Sequence, residues 1–319
     1  MTDIAHPGKA AHPSSEPRGD EHHDQPRPVS QAQRIVTLLV MLVPLAGLAV
    51  AMVSVWGWGF GWVELGLLLG MYVLTGLGVT VGYHRLFTHR SFETGPILTA
   101  ILGILGSMSV EGPVIRWVAF HRQHHQHSDR PDDPHSPHNH GEGVLATIRG
   151  FASAHMGWML EQADPALARY AADLRKSTLI RTISALFPLW VLASLLIPAA
   201  VGGLVSLSWS GALLGFLWGG LVRVLLVHHI TWSVNSVCHL WGTRPFRSHD
   251  ESRNNPVVGV LAFGERWHNN HHAFPTSARH GLRWWEFDAS YLLIRALERI
   301  GLVWNVRVPS PERILAKRA

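Results

Sequence analysis

The 319-residue sequence predicts an all-α integral membrane protein, with four transmembrane helices capped by a helical cytosolic domain that carries a metal site. Hydrophobic residues form 47% of the chain and are concentrated in long runs, as membrane spans require. Histidine is unusually frequent, with 22 copies, and nine of these lie in four groups that each follow an apolar run. The groups are therefore expected to meet at one membrane face.

Four apolar runs are long enough to cross the hydrocarbon core as helices, which takes about 20 residues. They cover about residues 35–56, 63–82, 179–205 and 211–230. Pro188 and Pro198 are expected to kink the third run. A further apolar segment, 96–110, is too short to cross, so we expect it to lie in the interface or to enter the membrane without crossing it.

Charge patterning predicts which side each segment occupies, because Lys and Arg are retained on the cytoplasmic side. All Lys and Arg except Arg181 and Arg223 lie in residues 1–34, 83–178 and 234–319. The short connections between spans contain none. Both termini, the long middle loop and all nine grouped histidines are therefore expected to be cytoplasmic.

The chain divides into three predicted parts. Residues 1–33 are polar and rich in Pro, His and charge, which predicts a disordered cytoplasmic tail whose histidines bind no metal. Residues 34–290 form the membrane and catalytic domain, and 291–319 form a C-terminal cytoplasmic segment. The single cysteine, Cys238, excludes an intrachain disulfide and a cysteine-ligated cluster.

The spacing of the grouped histidines predicts metal binding. Positions i, i+3 and i+4 share one helix face, so each of the two H-x-x-H-H motifs can aim three imidazoles at one point. His84 and His89 are about 140° apart on an ideal helix, so they would reach two neighbouring metals, or one only if the helix bends. Asn235 lies one turn before His239. Nine imidazoles exceed the roughly four to six ligands of one ion, which predicts two ions.

Four motifs carry a resemblance to a known family. They are G-Y-H-R-L-F-T-H-R-S-F, W-V-A-F-H-R-Q-H-H-Q-H-S-D, T-W-S-V-N-S-V-C-H and F-G-E-R-W-H-N-N-H-H-A-F-P. Over about residues 35–290 the chain resembles the membrane fatty acyl desaturases of the stearoyl-CoA Δ9 type, bacterial members in particular. The resemblance implies a di-iron centre in which Asn235 acts through a water. Its implied ligands are His84, His89, His121, His124, His125, His239, His268, His271 and His272.

The resemblance also implies a reaction and its partners. Iron would activate O2 to remove two hydrogens from adjacent methylenes of an acyl-CoA or acyl-lipid and leave a cis double bond. The chain shows no dinucleotide-binding glycine motif and no fused haem or iron–sulfur domain, so a separate electron carrier and an NAD(P)H-dependent reductase are expected. The expected location is the bacterial inner membrane, with no nucleic-acid partner.

Further residues are assigned by the same resemblance. Trp117, Thr231 and Trp232 match positions that line the bend of an acyl tunnel, although helix packing would also explain them. Glu111 stands where related sequences tend to carry glutamine. Glu265 forms E-x-x-H with His268 and is expected to orient an imidazole rather than to bind metal.

Other polar residues are expected to stay outside the metal site. His228 and His229 lie about two turns before Asn235 and are not expected to be ligands. The prolines and polarity of residues 129–140 favour a surface loop over another metal site.

Two alternative functions are left open by the sequence. A membrane fatty acid or alkane hydroxylase would use the same oxygen-activating boxes. A His-rich metal transporter is disfavoured because its ligands would lie at the bilayer midplane rather than beyond the span ends.

Overall fold

The computed structural model describes residues 28–58, 60–162, 164–259 and 261–319, so most of the predicted tail lies outside the described residues. The described chain is mostly helical, which confirms the predicted class. Its helices are α1 (Gln31–Trp58), α2 (Trp62–Thr88), α3 (Pro96–Ser107), α4 (Val114–His127), α5 (Val144–Ala152, continued by Ser153–Gly157 and Trp158–Glu161), α6 (Leu167–Tyr170), α7 (Ala172–Lys176), α8 (Thr178–Ala185), α9 (Phe187–Ser206), α10 (Trp209–Leu240), α11 (Pro256–Gly259), α12 (His268–Ala273), α13 (Ala289–Arg299) and α14 (Pro311–Ala316).

Four of the described helices, α1, α2, α9 and α10, are long and apolar enough to cross a membrane. Two of them are longer than the sequence predicts. Helix α2 continues to Thr88 and α10 to Leu240, so His84 and His239 lie on helices that are continuous with the spans. These extensions are polar, and burial against the helices and loops outside the spans keeps them helical where hydropathy alone would end them. The long spans therefore act as rigid supports for the histidines.

The third run is divided rather than kinked at its first proline. Helix α8 ends at Ala185 and α9 starts at Phe187, with Pro188 in its first turn. Proline is favoured there because the first N–H groups of a helix have no intrahelical partner. Pro198 lies inside α9, where its ring packs near Gly219 of α10. A Cβ atom on Gly202 would lie 2.4 Å from the carbonyl oxygen of Gly211, so glycine permits the close approach of these two helices.

Arg223, a charge inside the fourth span, is completely buried and bonded to backbone carbonyls. Its Nη1 donates to Met108 O at 2.8 Å, and its Nη2 donates to Ser194 O at 3.0 Å. A charge in a membrane span is costly unless it faces protein partners. Arg223 therefore ties α10 to α9 and to the end of α3.

The segment 96–110 forms the short helix α3, which packs along the end of α2. A Cβ atom on Gly78 would lie 2.3 Å from the backbone nitrogen of Gly106, so the two helices touch through glycines. Tyr83 of α2 packs beside this contact and belongs to a buried cluster with Val118 of α4. The cluster packs α2 against α4, the two helices that carry the first two histidine motifs.

The C-terminal segment packs on the end of α2 and on the residues that follow it. Strand β1 (Glu93–Thr94) pairs antiparallel with β2 (Val303–Trp304), with Thr94 opposite Val303. Ile294 of α13 and Val303 are buried together with Val81 of α2. Residues after 290 thus complete the core that supports the histidine helices.

Candidate metal centre

The nine grouped histidines come together in two adjacent groups at the C-terminal ends of α2 and α10. In each group, every histidine offers one ring nitrogen, and these nitrogens all lie within 4.8 Å of one another. Group one consists of His84, His89, His121, His125 and His271, and group two consists of His124, His239, His268 and His272. Each group could hold a metal ion.

The Nε2 atoms of group one face one another. The Nε2 of His84 lies 3.1 Å from that of His271 and 3.2 Å from that of His89. A single Nε2 either donates one proton or accepts with one lone pair, so it cannot satisfy both contacts by hydrogen bonding. Nitrogens bound at about 2.1 Å to one ion, at right angles to each other, lie about 3.0 Å apart. This spacing is therefore the one that a shared cation would require.

Group two has the same character. The Nε2 atoms of His239 and His268 lie 3.0 Å apart, and those of His124 and His272 are buried without a hydrogen-bond partner in the described chain. All four side chains are almost fully buried. Orphaned nitrogens in a closed site are costly, and a metal ion satisfies them. The all-imidazole donor set suits Zn, Cu, Fe and Ni.

Each H-x-x-H-H motif contributes to both groups, which corrects the expectation that its three imidazoles aim at one point. His121 and His125, one turn apart, belong to group one, whereas His124 belongs to group two. In the other motif, His268 and His272 belong to group two and His271 to group one. The i, i+4 pairs stay together, and the residue at i+3 lies on the other side of the face. The two motifs thus hold both sites at a fixed separation.

His84 and His89 reach one group because the last part of α2, Gly78–Thr88, is a π-helix. The N–H of His89 donates to the carbonyl of His84 at 3.1 Å, an i→i+5 bond. This widened turn brings residues five apart onto one face, whereas an ideal α-helix separates them. The spacing left open whether His84 and His89 would reach one metal or two. The π-helix places both of them in one group.

Three aspartates each accept a hydrogen bond from the Nδ1 of a group two histidine. Asp133 lies 2.9 Å from His124, Asp129 lies 2.8 Å from His239, and Asp250 lies 2.5 Å from His272. A carboxylate on Nδ1 fixes the tautomer that presents Nε2 to a metal and makes the imidazole more basic. Burial opposes ionisation of these aspartates, but the facing imidazoles hold the pKa of each carboxyl below its usual range.

Residues 129–140 are not a plain surface loop, as the sequence suggested. Asp133 and His135 are buried, and Asp133 also accepts from the backbone N–H of Asp129 at 2.8 Å. The prolines and the polar composition correctly indicate irregular backbone. They do not show that its carboxylates point inwards, because that depends on tertiary contacts with α4 and α10.

Within the part of the chain that the structure describes, group one meets one carboxylate, that of Glu265. Its Oε2 lies 2.9 Å from the Nδ1 of His84, and its Oε1 accepts from Arg85 at 2.5 Å. Arg85 also donates to Asp288 at 3.1 Å and is fully buried. Burial opposes ionisation of Glu265, but Arg85 and the nearby imidazoles hold the pKa of its carboxyl well below its usual range. The negative charge beside His84 is therefore partly neutralised by the guanidinium of Arg85.

A cavity of about 260 Å³ opens onto both groups. His84 and His121 of group one and His268 of group two lie in its wall, together with Asn235. Its remaining lining is largely apolar and comes mainly from α1, α2, α4 and α10, with additions from α5, from Phe187 of α9 and from residues 261–263. The cavity therefore connects the space between the spans with the metal groups.

Trp117, Thr231 and Trp232 all line this cavity. The indole of Trp117 stacks on the ring of His121, with centroids 4.9 Å apart and planes 24° apart. Its Nε1 donates to Glu111 at 3.0 Å. Burial raises the pKa of Glu111 to about 7, although the hydrogen bonds from Thr231 and Trp117 oppose this shift.

A sequence model for fatty acid desaturases matches residues 58–307 of the chain. The chain belongs to the fatty acid desaturase family. It is 45% identical to the hex-5-enoyl-(acyl-carrier protein) acetylenase of Moorena producens over 88% of each chain. It is 37% identical to the sn-1 stearoyl-lipid 9-desaturase of Synechocystis over 82% of this chain and 76% of the relative. It is 36% identical to the icosanoyl-CoA 5-desaturase of Limnanthes douglasii over 90% of this chain and 76% of the relative.

Membership confirms the resemblance that the histidine motifs indicated. A desaturase is an oxidoreductase that acts on acyl chains, and four candidate membrane helices fit a membrane enzyme. The two histidine groups lie inside the matched region. The three relatives act, by their names, on different acyl carriers, so membership alone does not choose between carriers.

The desaturase site contains residues that sequence reasoning did not single out. They are Arg85, Asp250, His280 and Asp288, all buried beside the metal groups. Arg85 directly follows His84 in the first motif, and His280 lies eight residues after His272, so proximity was the only signal in the sequence. His228, by contrast, bonds to Ser109 O at 3.0 Å, and His229 bonds to His155. Neither belongs to a metal group.

Proposed function

We propose that this desaturase inserts a cis double bond into a saturated acyl chain, at Δ9, with O2 and two electrons from outside at a di-iron centre. The observation that carries the proposal is that both imidazole groups open onto one apolar cavity. A saturated chain has no acidic C–H, so its oxidation needs a metal oxidant rather than a general base. Two hydrogens leave the chain, and O2 is reduced to two waters with two electrons and two further protons.

Two iron ions would occupy groups one and two and supply the oxygen activation. Nine imidazoles would bind them through Nε2: His84, His89, His121, His124, His125, His239, His268, His271 and His272. Asn235, which lines the same cavity as His268, would hold a water on the group two iron. Glu265 and the three aspartates bind the far side of the ligand rings and fix their orientation.

The cavity would hold the acyl chain and set the position of oxidation. Trp117 joins the wall to group one through its stacking on His121, so a chain passing Trp117 lies beside the metal site. Thr231 and Trp232 come from α10 and would shape the bend in the chain. The apolar lining excludes water and leaves the methylenes as the oxidisable groups.

The substrate carrier and the electron donor complete the proposal. An acyl-CoA or an acyl-lipid is the proposed carrier, as the names of the Synechocystis and Limnanthes douglasii relatives suggest. A separate electron carrier and an NAD(P)H-dependent reductase would deliver electrons on the cytoplasmic face. The basic residues outside the spans support this orientation in a bacterial inner membrane.

The test uses the full-length enzyme, purified with iron and supplied with stearoyl-CoA, O2 and a reductase system. Gas chromatography–mass spectrometry of derivatised products locates the double bond. We expect octadec-9-enoate, together with rescue of an unsaturated-fatty-acid auxotroph. Hydroxy acids without rescue would contradict desaturation and favour the hydroxylase. Zinc movement across vesicles by an iron-free protein would favour a transporter.

A second candidate reaction is favoured by the 45% identity to an acetylenase, which spans 88% of both chains. The same site would then remove two hydrogens from an existing double bond and leave a triple bond. A direct comparison decides between them, with stearoyl-CoA, hexanoyl-ACP and hex-5-enoyl-ACP as substrates. A triple-bonded product from hex-5-enoyl-ACP alone would establish the acetylenase and contradict the Δ9 assignment.

A further inference from the structure

His280 is a buried imidazole that neither metal group contains. Its side chain is fully inaccessible to solvent. Its Nδ1 lies 3.2 Å from the Oε2 of Glu265, the same oxygen that lies 2.9 Å from the Nδ1 of His84. Its ring centroid is 4.4 Å from that of His271 and 5.4 Å from that of His84. His280 thus touches both a group one ligand and the carboxylate behind another.

The backbone of His280 is fixed independently of its side chain. Its N–H donates to Asp288 at 2.7 Å, and its carbonyl accepts from Asn270 at 2.8 Å. Arg85 donates to Ala278 O at 3.0 Å and also bonds to Asp288. Because these contacts use backbone and other side chains, replacement of the imidazole leaves the segment anchored.

The surroundings argue against a third metal ion between His84, Glu265 and His280, although the three side chains lie close together. The guanidinium of Arg85 occupies Oε1 of Glu265 and is itself fully buried. A divalent cation on Oε2 would lie next to that positive charge without water to screen it. The imidazole of His280 fits here as a neutral ring whose Nδ1 faces the carboxylate at 3.2 Å.

We propose that His280 is a positioning residue for group one, acting on His84 through Glu265 and on His271 by ring packing. This inference rests on the proposed function only in that group one binds a metal. Glu265 is shared between two imidazoles and is pulled by Arg85 on its other oxygen. The His280 ring holds the carboxylate against His84 and fills the space behind His271. Without the ring, both ligands gain freedom to turn away from the metal.

The experiment measures iron in the purified full-length enzyme loaded with ⁵⁷Fe, by elemental analysis and Mössbauer spectroscopy. The variants are His280→Leu, which removes the donor, and His280→Asn, which keeps an N–H near the Nδ1 position. His155→Leu is the matched control, because His155 is also buried but bonds to Ser236 and His229, away from both groups.

We expect His280→Leu to weaken the binding of one of the two irons about 10–100-fold and to change one of the two iron signals. His280→Asn should restore most of that affinity, and His155→Leu should leave both irons in place. Two unchanged irons and signals in His280→Leu would overturn the proposal, as would a His280→Asn variant no better than His280→Leu. If the wild type binds two irons but makes no desaturated product, the proposed function fails while the iron comparison still tests His280.

Discussion

Group two and group one hold four and five imidazoles, respectively, but they are backed by different charges. Three of the four group two histidines donate to aspartates: His124, His239 and His272. Among the described residues, no Lys or Arg side chain forms an ion pair with those aspartates. In the same described residues, group one has one carboxylate, that of Glu265, behind one of its five histidines, and Arg85 also bonds to it.

The difference shows how one ligand type can make two unequal sites. Carboxylates on Nδ1 make imidazoles more basic and attract the metal's charge, so group two should hold its ion more tightly. Group one relies on more ligands with weaker electrostatic support. We infer that the first iron to leave, and the one more easily changed by its surroundings, is that of group one.

The largest effect is expected from removing a ligand of either group. His124→Ala and His271→Ala should each abolish desaturation, because a lost ligand opens one coordination position of a metal on which the whole reaction depends. Product formation in membranes, together with the amount of membrane-bound protein, measures this. His127→Ala is the control, because His127 lies on the same helix as His124 but belongs to neither group. Substantial double-bond formation by His271→Ala would remove it from the ligand set.

A smaller effect is expected from removing a carboxylate behind group two. Asp133→Asn should weaken iron binding at group two about 10–100-fold, because an amide neither carries charge nor enforces the tautomer of His124. Asp132→Asn is the matched control, because the neighbouring Asp132 side chain is 79% exposed. Iron content after dialysis against a graded chelator series measures the effect. Equal behaviour of the two variants would break the proposed contrast.

The fold was largely predictable because hydropathy and helical spacing report local properties. The four spans and the nine histidines follow from apolar run length and from motif spacing. The sequence did not predict which histidines belong to which group. That depends on the π-helical turn before His89 and on which faces of α4 and α12 point towards each group. The sequence also did not predict that Asp129 and Asp133 point inwards. A polar, Pro-rich segment indicates a loop but not which residues its side chains contact.

A pH effect is expected where the cavity meets group one, through Glu111 and Trp117. Burial raises the pKa of Glu111 to about 7, so its carboxyl is neutral below that pH and ionised above it. A charge beside the apolar chain disfavours binding, so KM should rise up to about tenfold per pH unit above 7. Glu111→Gln should remove this rise and leave KM flat. A KM rise of the same size in Glu111→Gln would assign the titration to another group.

The smallest effect on rate, but a change in product, is expected at Trp232. This indole lines the cavity without touching either group's ligand nitrogens, so Trp232→Leu should move the double bond or alter chain-length preference while iron binding stays intact. Trp241→Leu is the control, because Trp241 follows the end of the same helix and is 52% exposed. Product profiles that match wild type over several Trp232 substitutions would remove it from the tunnel.

The most direct test of the unequal sites is chelator titration of the ⁵⁷Fe-loaded enzyme, followed by elemental analysis and Mössbauer spectroscopy. We expect two irons per chain that leave in two separate steps, with Asp133→Asn shifting only the later step to lower chelator concentration. A single step in the wild type, or an Asp133→Asn variant that shifts only the earlier step, would contradict the account.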